Sequence, residues 1–211
     1  MIEIKKSLIL EKSEQTQLIR QIVRDIIQIY KSNGDGEFYL PEDLSGEEME
    51  YRSPKNSVSV ELTLEMSDDV DDYMSTAFFV RDENVIEIKI VYNPKNKRKI
   101  TYDLIGELNE IIAHELRHQY QRDRGLYGMD NLDDDENDNE EEEEQSGVEY
   151  YSRPEEIDAQ VYGFRRMKKV TRRPFEELVR NWFRTHKEIH QLNEKEQEKI
   201  IEMILDYNSK I

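Results

Sequence analysis

Residues 111–120 read I-I-A-H-E-L-R-H-Q-Y. His114 and His118 are four positions apart. On an α-helix that spacing sends both imidazoles from one face, a turn apart, within reach of a single ion. Glu115 stands between them. The apolar positions Leu104, Ile105, Leu108, Ile111, Ile112 and Leu116 recur at three- and four-residue intervals around it. This periodicity predicts a helix from about Thr101, as its cap, to about Arg124, with Gly125 and Gly128 marking its end.

Upstream, Leu18, Ile19, Ile22, Val23, Ile26, Ile27 and Tyr30 follow the same helical period. An amphipathic helix over 13–32 with Ser13 as N-cap is expected, closed by the N-G-D-G run at 33–36. Residues 37–56, with Pro41 and Pro54, read as loop with at most a short strand. The period then changes. Val58, Val60, Leu62, Leu64 and Met66 alternate with polar residues, as in a strand buried on one face. Ala77–Val80 and Ile86–Tyr92 supply two more strands, and R-D-E-N at 81–84 suggests a hairpin between them. The expected sheet is small and mostly antiparallel.

Downstream, Ser152 and Glu155 are spaced as a capping box around Pro154, opening a helix to about Val170. A further helix over about 174–191 is expected, and another opened by Asn193 with Glu196 in capping-box register. The order is one helix, a small sheet, then four helices. Together they define an α+β fold in a single domain over 1–211, with residues 171–211 as a helical C-terminal extension.

The 211 residues carry 48 acidic and 30 basic side chains, a formal net charge of −18. Eleven of the acids lie in residues 130–144, which hold no Lys or Arg, so the rest of the chain carries only −7. Such a run repels itself and has little to bury, and a flexible acidic insert over 130–147 is expected. It lacks the spacing of an EF-hand loop, and a basic protein partner fits its charge. The overall sign argues against nucleic acid. No stretch approaches a membrane span and the N-terminal apolar run is short, so a cytoplasmic protein without a membrane partner is expected. There is no Cys, so disulfides, thiolate ligands and a Cys nucleophile are excluded.

The H-E-x-x-H pattern of His114, Glu115 and His118 resembles that of the zinc-dependent metallopeptidases, in which two His ligate Zn2+ and the Glu is the general base. A catalytic zinc site needs a third ligand, and without Cys it must be His, Asp or Glu. The stretch Y-S-R-P-E-E-I-D-A-Q at 151–160 is similar to the gluzincin branch, whose third ligand is a downstream helical Glu in an E-x-x-A context. Glu156 stands in that context before Ala159. The resemblance therefore implies metal ligands His114, His118 and Glu156, with Glu115 catalytic. Glu155 and Asp158 remain alternatives to Glu156. Arg117 departs from the uncharged residues that the pattern prefers there.

The resemblance is to the small, single-domain peptidases of bacteria and their phages, and implies a minimal zincin-like fold whose N-terminal helix and sheet pack on the active-site helix. It implies hydrolysis of a protein or peptide substrate through a zinc-activated water. Tyr150, Tyr151, Tyr162, His186 and His190 are the candidates for stabilising the oxyanion. The other reading is a non-catalytic, acidic interaction or structural protein that retains the fold or metal site. His186 and His190 form a second i, i+4 pair, expected to be solvated. Phe175, Leu178, Val179, Trp182 and Phe183 are expected to be core.

Overall fold

The computed structural model describes residues 2–31, 44–52, 57–71, 73–80, 83–93, 102–128 and 147–211. The acidic run at 130–144 and the proposed cap Thr101 lie outside them. The chain divides into two compact units, Met1–Leu116 and Arg117–Ile211.

The first unit opens with α1, Ile2–Lys31. It begins eleven residues ahead of Ser13, so Ser13 is not at its N-terminus. Residues 2–12 are mostly Ile, Leu, Glu and Lys, with no Gly or Pro to stop the helix from extending. The expected stripe is buried at Leu18, Ile19, Ile22, Val23, Ile26 and Ile27.

Four strands follow: β1, Leu44–Arg52; β2, Ser57–Met66; β3, Tyr73–Val80; and β4, Val85–Tyr92. Their order across the sheet is β1-β2-β4-β3. The pairs β1–β2 and β3–β4 are antiparallel, whereas β2 and β4 are parallel, with Val60 opposite Ile86 and Leu62 opposite Ile88. Parallel neighbours need a return path, and β3 provides it. The chain runs up β2, comes back along β3 at the sheet edge, and reenters between them as β4.

Alternation in β2 and β4 has its expected consequence. Val58, Val60, Leu62 and Leu64 are buried, as are Ile86, Ile88 and Ile90. β1 is nine residues long where at most a short strand was expected. Its sequence, L-S-G-E-E-M-E-Y-R, carries no clean alternation, and antiparallel pairing with β2 is what makes it a strand. A charged edge strand is also a poor template for further pairing.

Helix α2, Tyr102–Asp123, passes through the boundary between the units. Leu104, Leu108, Ile112 and Leu116 are buried along it, while Ile105 and Ile111 are half-buried. Ser75 on β3 donates to Glu107 on α2 at 3.2 Å. Gly125 and Gly128 follow the helix at φ 58° and 75°, the left-handed region that glycine enters at no steric cost.

The second unit continues with α3, Gly147–Tyr151; α4, Pro154–Thr171; α5, Phe175–Thr185; α6, Lys187–His190; and α7, Glu194–Lys210. Six helices thus follow the sheet among the described residues, where four were expected. One addition is α3, whose end changes how α4 begins. Ser152 donates through its backbone to Val148 O at 3.0 Å and through its hydroxyl to Glu149 O at 3.2 Å. Its side chain is committed to finishing α3, so the expected Ser152–Glu155 box does not form. The N-cap of α4 is Arg153, without a side-chain bond, and Pro154 needs no donor partner in the first turn.

The other addition comes from a break at His186, which splits the helix expected over 174–191. The imidazole Nε2–H of His190 donates to Phe183 O at 2.7 Å, taking a carbonyl of the last turn of α5. At α7 the capping box is present: Asn193 accepts from the backbone of Lys195 and Glu196, and Glu196 accepts from Asn193 N. Phe164, Val179, Phe183, Ile200 and Ile204 are fully buried in one apolar cluster with Tyr151, Phe175 and Leu178. The aromatic stripe of α5 is core, as expected, with Trp182 partly buried against it.

Among the described residues, no helix is long and apolar enough to cross a membrane. The α+β class holds.

Candidate metal centre

His114 and His118 occupy one face of α2, and Glu156 sits in the first turn of α4, where a carboxylate is favoured by the helix dipole. One ligand atom from each of the three lies within 4.8 Å of the other two. His114 is 8% exposed and Glu156 6%, which is rare for a carboxylate unless it has a cationic partner. Glu115 is equally buried, its Oε1 4.0 Å from His114 Nε2.

The state of His118 follows from its neighbours. Gln121 has its amide nitrogen 2.9 Å from Asp158 Oδ2 and 3.0 Å from Glu155 O, two groups that only accept. The nitrogen must lie on that side, so the amide oxygen faces His118. His118 Nδ1 is 2.9 Å from that oxygen and donates to it. The other ring nitrogen, Nε2, lies 3.3 Å from Glu156 Oε1. Those two atoms are close enough to share a proton or to ligate one ion. A proton would serve that pair alone, whereas a metal ion would serve His114 as well.

Two imidazoles and one carboxylate form a donor set that zinc accepts, with metal–donor distances near 2.0–2.2 Å. In a tetrahedron with such arms the ligand–ligand edge is about 3.3 Å. The His118–Glu156 separation fits it.

The two alternative ligands are engaged elsewhere. Asp158, 3% exposed, receives Arg117 Nε at 2.7 Å and Nη2 at 3.1 Å, Gln121 Nε2 at 2.9 Å and the Tyr207 hydroxyl at 3.1 Å. Four donors fill the acceptor capacity of a carboxylate. Glu155 is half-buried and outside the His114, His118 and Glu156 group. Glu156 is the carboxylate that groups with the two histidines.

Arg117, the departure from the family pattern, thus has a structural role here. Its guanidinium lies over Tyr120 at 4.7 Å and Tyr162 at 5.6 Å while it holds Asp158. Burial raises the Tyr162 phenol above its ordinary value, partly opposed by Arg117. Tyr207 is likewise raised, by burial first and then by Tyr127 and Asp158, and it donates to Asp158 as a neutral phenol.

Among the oxyanion candidates, Tyr151 is buried in the apolar cluster, edge-on to Trp182, Phe183 and His190. The expectation of a solvated His186–His190 pair is overturned. His190 is 1% exposed, with Nε2–H donating to Phe183 O and Nδ1 accepting from Leu192 N at 2.9 Å. His186 is half-buried, stacked on Trp182 at 5.0 Å and hydrogen-bonded to its carbonyl; burial lowers its pKa. Tyr150 is exposed and edge-on to Tyr151. Tyr162 is joined to the Asp158 network through Arg117.

Sequence reasoning missed Gln121 and Tyr207. Gln121 carried a usable signal, three residues after His118 on the same helical face. Tyr207, 49 residues beyond Asp158, carried none.

No family model matches the chain, and neither curated proteins nor solved structures yield a match.

Proposed function

We propose that the protein is a zinc-dependent metallopeptidase of the gluzincin type, hydrolysing peptide bonds of a protein or peptide substrate. The observation that carries this reading is the convergence of His114, His118 and Glu156, with a His118–Glu156 separation matching one edge of a zinc tetrahedron. Zinc, when bound, lowers the pKa of a coordinated water and polarises a carbonyl. Glu115 accepts the proton of the attacking water and returns it to the leaving amine. Glu115 is buried beside His114, with Oε1 4.0 Å from Nε2. A zinc ion held by His114, His118 and Glu156 would keep a fourth position for water or substrate.

The test is elemental analysis of protein purified without chelator or affinity metal, for wild type, His118→Ala and Glu156→Ala. About one zinc per wild-type chain, lost in both variants, is expected. Turnover of a peptide library should then disappear in Glu115→Gln while zinc is retained. Zinc absent from wild type even after addition would overturn the reading.

A further inference from the structure

We propose that Gln121 is a positioning residue that fixes the Nδ1–H tautomer of His118 and so presents Nε2 to the metal. The inference rests on the metal-site reading above but makes a separate claim, testable in metal-free protein. A neutral imidazole has one donor and one acceptor nitrogen, and the bond made by one decides the role of the other. His118 Nδ1 meets the Gln121 amide oxygen at 2.9 Å, and Gln121 is fully buried, so water does not compete for that contact.

An amide can usually turn over and offer its nitrogen instead. Here it is pinned by its two acceptors, Glu155 O at 3.0 Å and Asp158 Oδ2 at 2.9 Å. Turning it would set oxygen against both and bury three mismatched groups. Asp158 is in turn held by Arg117 and Tyr207. The connections therefore run from Arg117 and Tyr207 through Asp158 and Gln121 to His118.

This network also spans the two elements carrying the His118–Glu156 pair. Arg117, His118 and Gln121 are on α2, while Glu155, Glu156 and Asp158 are on α4. Metal-ligating histidines generally depend on such an outer partner, whose loss costs about 10- to 100-fold in affinity. The usual partner is a carboxylate or carbonyl acting directly. Here Gln121 relays the constraint of Asp158, keeping that carboxylate's negative charge one residue removed from the imidazole.

The experiment is 15N NMR of imidazole-labelled, metal-free protein at about pH 8.5, well above the ordinary histidine pKa, followed by zinc titration against a chromophoric chelator. Wild type and Gln121→Met are compared, with circular dichroism reporting the fold. Wild-type His118 should show protonated Nδ1 and unprotonated Nε2. Gln121→Met, which keeps the volume and removes all three hydrogen bonds, should move His118 toward the Nε2–H form and weaken zinc about 10- to 100-fold. A wild-type Nε2–H tautomer, or an unchanged tautomer in folded Gln121→Met, would overturn the proposal. The expected tautomers without zinc uptake by wild type would instead overturn the metal-site reading.

Discussion

Arg117 grips Asp158 with two nitrogens, Nε to Oδ2 at 2.7 Å and Nη2 to Oδ1 at 3.1 Å, across forty-one residues of sequence. Asp158 is almost wholly buried and Arg117 is partly exposed, so the carboxylate depends more on the pair than the guanidinium does. Arg117→Ala leaves a buried charge with only Gln121 and Tyr207 as donors, and should cost about 3 kcal/mol. Urea denaturation of Arg117→Ala, Asp158→Ala and the double variant checks this. The double variant should be more stable than the sum of the single losses implies, because removing both charges leaves neither one stranded.

Glu110 sets a pH dependence. It is 3% exposed, and burial, only partly opposed by His114, pushes its pKa from the ordinary 4.5 up to about 7. Between those values the folded chain keeps a proton that the unfolded chain has released. Stability contributed by the neutral carboxyl is therefore full below pH 4.5 and lost as pH rises toward 7, a change on the order of 3 kcal/mol. Glu110→Gln should remove this slope, so that zinc-free Glu110→Gln is more stable than wild type at pH 8 but not at pH 4. Denaturation midpoints at the two values decide it.

His190 serves the core. Both ring nitrogens are used within α5–α6 and its following turn, so His190→Ala should cost about 2–4 kcal/mol and leave zinc content unchanged. His186→Ala should leave zinc content unchanged too. Thermal unfolding with metal analysis on the same samples separates this outcome from a second metal site.

Gly147 approaches the same corner. A Cβ there would meet His190 O at 2.5 Å and the Leu192 side chain at 3.1 Å. The first neighbour is backbone and yields little, so Gly147→Ala should destabilise by about 1–3 kcal/mol. A denaturation midpoint equal to wild type would show that α3 shifts freely.

Zinc itself should stabilise the folded chain. At a free concentration one hundred times its dissociation constant the gain is about 2.7 kcal/mol, and a chelator should reverse it. His118→Ala should show no such gain. Differential scanning calorimetry with and without zinc reads the effect directly.

Periodicity alone determined much of this protein. The stripe Leu18 to Ile27, the alternation of Val58 to Leu64 and the helical spacing of Leu104 to Leu116 each state which side chains are buried, and those residues are buried apart from Ile105 and Ile111, which are half-buried. Asn193 and Glu196 specify a helix start because both bonds of the capping box are local. His114 and His118 share a face because an α-helix repeats every 3.6 residues.

Tertiary structure decided what depends on contacts distant in sequence. β1 exists through pairing with β2, and the parallel β2–β4 register depends on β3 returning the chain. Ser152 abandons the expected cap because α3 competes for its hydroxyl, and the helix over 174–191 divides where His190 takes the carbonyl of Phe183. Asp158 supports the site because Arg117, Gln121 and Tyr207 converge on it, while Glu156, two residues earlier, faces His118. Local spacing fixes which residues share a face. Only the folded chain fixes which of two nearby carboxylates is filled by hydrogen-bond donors and which lies beside the two histidines.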